Sequence, residues 1–156
     1  FLKKYIPEQP GNIHTIDGNS CGEHDGLMFY TMGQRQGLGI GGGHGEKEAP
    51  WFVADKDLEN NILIVAQGHD HPALFHQKLE ADQIHWISGS PPHDLENISA
   101  KIRYRQMDQS CKITTLSSDR CTVKFDKPQF GIAPGQSIVF YKGDDCLGGA
   151  IIDNRN

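Results

Sequence analysis

From residue 79 onward the chain reads as six short β-rich runs at near-regular spacing, 79–87, 98–106, 110–116, 120–126, 136–142 and 146–153, with no helical stretch among them. Turn formers stand between several of the runs: Ser90-Pro91-Pro92, Ser117-Ser118-Asp119, Pro134-Gly135 and Lys142-Gly143-Asp144-Asp145. Evenly spaced short strands separated by tight turns predict a small antiparallel barrel, because closing the sheet on itself removes its exposed edges.

The first half has a different texture. Asn12-Ile13-His14-Thr15-Ile16 predicts a strand closed by the turn Asp17-Gly18-Asn19. The run His24–Met32 places Leu27, Met28, Tyr30 and Thr31 too closely for alternation, and predicts a short helix capped by Gly33. Trp51–Ala54 and Ile62–Ala66 predict a hairpin around Asp57–Asn61. The expected fold class is therefore mainly β with an α+β character: a small α+β domain over 1–77, followed by an antiparallel β-barrel over 78–156. A chain of 156 residues is long enough for two such small domains. It opens on Phe1, which leads us to expect a piece of a longer protein.

Several chemistries find no complete motif. No apolar run approaches the ~20 residues a membrane helix needs, so no membrane partner is expected. Gly37–Gly43 is glycine-rich, but Pro50 and a predicted strand follow it where a phosphate cradle needs a helix, and the Gly-Lys-Ser/Thr ending of a Walker loop is missing. The cluster is expected to be a loop. His69-Asp70-His71 could offer two imidazoles to a metal, yet Gly68 and Pro72 put it in a turn without a third ligand, so a polar loop is expected. Asp55-Lys56-Asp57 reads as a solvated strand end. Cys21, Cys111, Cys121 and Cys146 form neither a disulfide framework nor a metal spacing; they read as reduced, cytosolic, mostly buried thiols. No Gly-x-Ser-x-Gly elbow is present, and no catalytic or metal-ligating residue is assigned.

Charge is more informative. The net −5 divides into −8 over residues 1–98, +5 over 99–142 and −2 over the last fourteen. An acidic front and a basic back point to a polyanion docking at one end, or to an ordinary solvated barrel face. Within the basic part, Lys101-Ile102-Arg103-Tyr104-Arg105-Gln106 would, as a strand, put Lys101, Arg103 and Arg105 on one side. Ile102 and Tyr104 would then enter the core from the other. Such a row of cations, about 6–7 Å apart, is comparable to successive phosphates. Arg can hold a phosphate with two hydrogen bonds and Tyr can stack on an unpaired base. The same pattern also describes a plain amphipathic strand with a charged outside.

Several blocks, in order, are similar to one family. They are Tyr5–Gly11, His24–Gly42 (HDGLMFYTMGQRQGLGIGG), Pro50–Asp57, Asn60–Gly68, Arg103–Gln106, Pro134–Ser137 and Cys146–Ile152. Together they resemble the tRNA-specific 2-thiouridylases, the MnmA or TrmU family, nearly end to end. A departure is Gln36, where the family usually carries lysine. The resemblance implies a three-part enzyme: an adenylating N-terminal domain, a small central domain and a C-terminal barrel like the second domain of elongation factors. This chain would supply the last two. It further implies ATP with Mg in the absent domain, two catalytic cysteines upstream, sulfur delivered by a sulfur-relay protein, tRNA as substrate, and a cytoplasmic enzyme. Arg103, Tyr104 and Gln136 match family positions that contact tRNA, and Cys146 matches a packing position in the last strand. Lys101, Arg105, Gln34 and Arg35 are added as RNA contacts from charge and geometry. The rival expectation is a stand-alone RNA- or protein-binding barrel without a catalytic partner; a metal-dependent hydrolase on His69 and His71 is a third.

Overall fold

The computed structural model describes residues 9–40 and 49–156. The chain divides into two compact units, Phe1–Phe75 and His76–Asn156. Gly41, Gly42 and Gly43 of the glycine cluster lie outside the described residues.

The first unit holds strands β1 (Gly11–Thr15), β2 (Ser20–His24), β3 (Trp51–Asp57) and β4 (Ile62–Gln67), in the sheet order β2-β1-β4-β3. The β1–β2 and β3–β4 pairs are antiparallel hairpins, and β1 runs parallel to β4. Ile13, Leu63, Val53 and Val65 are fully buried on the sheet, with Leu27, Leu38 and Cys21 closing the cluster. The helix expected over His24–Met32 does not form: His24 ends β2, and a 3-10 turn spans Leu27–Phe29. The turn Asp17-Gly18-Asn19 leads straight back into a strand, which uses His24 as sheet and leaves too few residues for a helix. Among the described residues there is no α-helix.

Asn61 locks this unit. It sits at φ +55° in the β3–β4 turn, where asparagine is one of the few residues that tolerates left-handed backbone. Its side-chain amide donates to the carbonyls of Gln9 (3.1 Å) and Pro10 (3.0 Å). Its own carbonyl accepts from Nε2 of the buried His24 at 2.8 Å.

The second unit is a closed barrel in the order β10-β5-β8-β7-β6-β9. Its strands are β5 (Phe75–Trp86), β6 (Ile98–Lys101), β7 (Gln109–Leu116), β8 (Cys121–Phe130), β9 (Ser137–Lys142) and β10 (Asp145–Arg155). Alternate residues fill the interior: Cys111 and Ile113, Cys121, Val123 and Phe125, Ile138 and Phe140, Ala150 and Ile152. Period two thus works here as a core code. At Gly148 (φ +154°) the β10 backbone comes so close to His85 that a Cβ would collide with main-chain atoms, so glycine is required where β10 pairs with β5. Cys146, expected in packing, is exposed at the start of β10.

Candidate nucleic-acid interface

The run 98–106 is not one strand. β6 ends at Lys101, opposite Val139 of β9, while β7 begins at Gln109, opposite Ala100. Beyond Lys101 no neighbouring strand among the described residues offers a ladder, so the alternating pattern has nothing there to pair with. Ile102 stays inward, only 5% exposed, and its N–H donates to Oε1 of Gln106 at 3.2 Å. The Gln106 N–H donates to the Arg103 carbonyl at 3.3 Å, which closes the turn.

This loop is anchored on β8 from below. Nε2 of Gln106 donates to Oε1 of the buried Gln129 at 3.2 Å, and Nε2 of Gln129 donates to the Lys127 carbonyl at 2.9 Å. Arg103 reaches the same strand end. Its guanidinium carbon lies 5.1 Å from the centre of the Phe130 ring, and Nη2 donates to the Gly131 carbonyl at 3.3 Å. Packing against the ring partly desolvates the guanidinium and lowers its pKa from the ordinary arginine value.

Tyr104 therefore does not enter the core as expected. It stands 93% exposed at the loop tip, beside Met107 at 80%. Arg105 is exposed and has no hydrogen bond or ion pair among the described residues. Lys101, still on β6, holds its ammonium 5.1 Å over the ring of Tyr141. The antiparallel registers bring the β8–β9 connection to the same barrel end as this loop. There Gln136 N–H donates to Ala133 (3.1 Å), and the Gln136 carbonyl accepts from Ile152 (2.8 Å), fixing the backbone while the residue stays exposed. A further cation at this end escaped the sequence reading: Arg155, whose Nη1 donates to the Ile132 carbonyl at 2.9 Å. Its position on the terminal strand inside a net-negative segment hid it.

Gln34 and Arg35 lie in the first unit. Gln34 uses both ends of its amide locally, accepting from Thr31 N–H (3.0 Å) and donating to the Gln36 carbonyl (2.9 Å), so it builds the turn. Arg35 is exposed on that turn. His71 likewise serves the backbone, its Nδ1 accepting from Ala73 N–H at 3.1 Å where the 3-10 turn Pro72–Leu74 begins.

Not all the basic residues are free. Arg120 contacts Asp153 (2.9 Å), Glu80 (3.4 Å) and Asp82 (3.6 Å), and Lys142 pairs with Asp94 at 3.1 Å. Lys101, Arg103, Arg105, Lys112, Lys124 and Lys127 have no acidic partner among the described residues. The cationic surplus thus survives folding on β6, β7, β8 and the 103–107 loop. Cys111 and Cys121, buried in the barrel, are pushed up to about 12 and about 11 by desolvation, so they remain protonated thiols at neutral pH.

A family model described as the tRNA methyl transferase PRC-barrel domain matches residues 1–67, and one described as the aminomethyltransferase beta-barrel domain matches residues 76–152. Proteins named tRNA-specific 2-thiouridylase MnmA, from Nitrosomonas eutropha and from Francisella tularensis subsp. tularensis, are each 56% identical over 152 residues. Those alignments cover 97% of this chain and 42% of each relative, so the chain spans less than half the length of the curated relatives it matches. With both family models placed in order along it and identity at that level through nearly its whole length, the chain belongs to the tRNA-specific 2-thiouridylase family, matching its C-terminal domains.

Proposed function

We propose that this chain is the tRNA-holding portion of an ATP-dependent tRNA-uridine 2-sulfurtransferase that thiolates the wobble uridine. The observation that carries the reading is Tyr104, 93% exposed between two arginines on a loop tied to β8. An aromatic ring so exposed contributes almost nothing to the core, yet offers a stacking face to an unpaired base. Its flanking guanidinium groups can grip phosphates through paired hydrogen bonds. Because the loop is already anchored, little ordering entropy is lost on binding. Lys101 and Gln136 lie at the same barrel end and extend the contact; Arg35 offers another cation from the first unit, with Gln34 shaping its turn.

In this reading the chemistry belongs to residues outside these 156: ATP with Mg activates the uridine, and two cysteines pass on sulfur received from a relay protein as persulfide. A persulfide carrier has to be an accessible thiol; Cys21, Cys111 and Cys121 are buried, and burial raises the pKa of each, while Cys146 alone of the four is exposed. The parent enzyme would work in the cytoplasm, and this portion alone would bind tRNA without thiolating it. The test is tRNA affinity at two salt concentrations for Tyr104→Ala and Arg105→Ala. We expect about threefold to tenfold weaker binding for each, with the salt slope reduced by about 0.7–0.9 only for Arg105→Ala. Wild-type affinity in both variants discards the reading.

A further inference from the structure

On the outer face of the barrel, β7 and β8 place Lys112 directly opposite Lys124. Directly opposed side chains on antiparallel strands have Cβ atoms about 4.5–5.5 Å apart, and like charges there destabilise the sheet. The lysines cannot turn away by a register slip. Their neighbours Cys111, Ile113, Val123 and Phe125 fill the core, and a slip would expose all four. Nor are they neutralised among the described residues: Asp126, two residues beyond Lys124 along β8, forms no ion pair with either, while Glu80, Asp82 and Asp153 converge on Arg120. The outward face of β8 runs on from Lys124 through Asp126 to Phe130, where the strand ends under the Arg103 guanidinium.

We propose that Lys112 and Lys124 form a second phosphate-binding step, which carries the sugar-phosphate backbone of the RNA from the 103–107 loop along the β7–β8 face. This inference rests on the tRNA reading above and extends its footprint to residues that contact no base. A phosphate lying between the two ammonium groups relieves their mutual repulsion, so the arrangement that costs stability in the free protein favours the bound state. The contact is sequence-independent and electrostatic.

The test compares the wild-type chain with Lys112→Gln/Lys124→Gln and with Lys112→Glu, measuring tRNA affinity at about 50 and 200 mM salt alongside the thermal midpoint. The double variant should bind about tenfold more weakly at the lower salt, with the slope of log affinity against log salt reduced by about 1.4–1.8, the value for two lost phosphate contacts. Its midpoint should stay level or rise, since a repulsive pair is gone. Lys112→Glu, which makes the pair attractive, should melt higher and bind more weakly. A double variant with wild-type affinity and slope, alongside a Tyr104→Ala variant that binds weakly, overturns the footprint and leaves the loop reading standing. A wild-type chain that binds no tRNA at either salt overturns both.

Discussion

The guanidinium of Arg103 lies over the ring of Phe130, 5.1 Å from its centre, and donates to the Gly131 carbonyl at 3.3 Å. One side chain thereby fastens the 103–107 loop to the end of β8. Arginine carries five N–H donors, so donors are left over for a phosphate after the carbonyl has taken one. Arg105, two residues on, is exposed and fastens nothing among the described residues.

The two arginines should therefore separate in experiment. Arg103→Ala loses a cation–π contact and a hydrogen bond, and should cost about 1–2 kcal/mol of stability as well as tRNA affinity. Arg105→Ala should leave stability within about 0.5 kcal/mol and reduce affinity alone. Arg103→Lys should recover little, since lysine lacks the flat fork that stacks and bonds at once. Urea unfolding paired with tRNA titration reads both quantities. Equal stability losses would refute the distinction.

Gln106 is a positioning residue. Gln106→Ala strips the Ile102 N–H of its acceptor and the buried Gln129 of its donor, a loss of about 1–3 kcal/mol. Affinity for tRNA should fall because Tyr104 is no longer held in place, yet the salt slope should not change, because no cation is removed. A reduced slope in this variant would mean that Gln106 acts by some other route.

In the first unit, Asn61 combines left-handed backbone with two hydrogen bonds from its side-chain amide. Asn61→Ala loses both bonds and strains φ, and should destabilise the chain by about 2–3 kcal/mol. Asn61→Gly keeps the backbone conformation at no steric cost and should recover about 1 kcal/mol of that. Thermal or denaturant unfolding of the pair checks the order, and alanine equal to or better than glycine would contradict it.

Alkali should weaken the barrel. Burial raises Cys111 to about 12, with smaller contributions from Asp126 and Cys121, and raises Cys121 to about 11. A folded-state value above the unfolded one, here near 9, means the contribution is complete below about pH 9 and is lost as pH rises toward 11–12. Unfolding measured between pH 8 and about pH 11 should show that decline, and Cys111→Val with Cys121→Val should flatten it. At neutral pH a thiol reagent should modify exposed Cys146 quickly and the three buried thiols only in denaturant.

Much of the architecture was legible in the residue order. The strands of the barrel, apart from the second half of the 98–106 run, and the β3–β4 hairpin follow from alternation and from Pro/Gly/Asp punctuation, because a closed sheet sorts every second residue inward. The β2 strand was not legible: Ser20-Cys21-Gly22-Glu23-His24 has little apolar alternation, and its place is set by the hairpin with β1. The cationic surplus of residues 99–142 was a matter of counting. Its availability was not, since Arg120 is neutralised by carboxylates 33 and 40 positions away in the chain.

Sequence alone determined that this chain would bury alternating aliphatic residues in a barrel and carry its positive charge in the second half. Tertiary structure decided where β6 stops, and with it that Tyr104 faces solvent. A period-two pattern is a property of neighbouring residues, whereas a strand exists only as far as adjacent strands supply hydrogen-bond partners. Past Lys101 that supply ends, and side chains from β8 take over the anchoring of the loop.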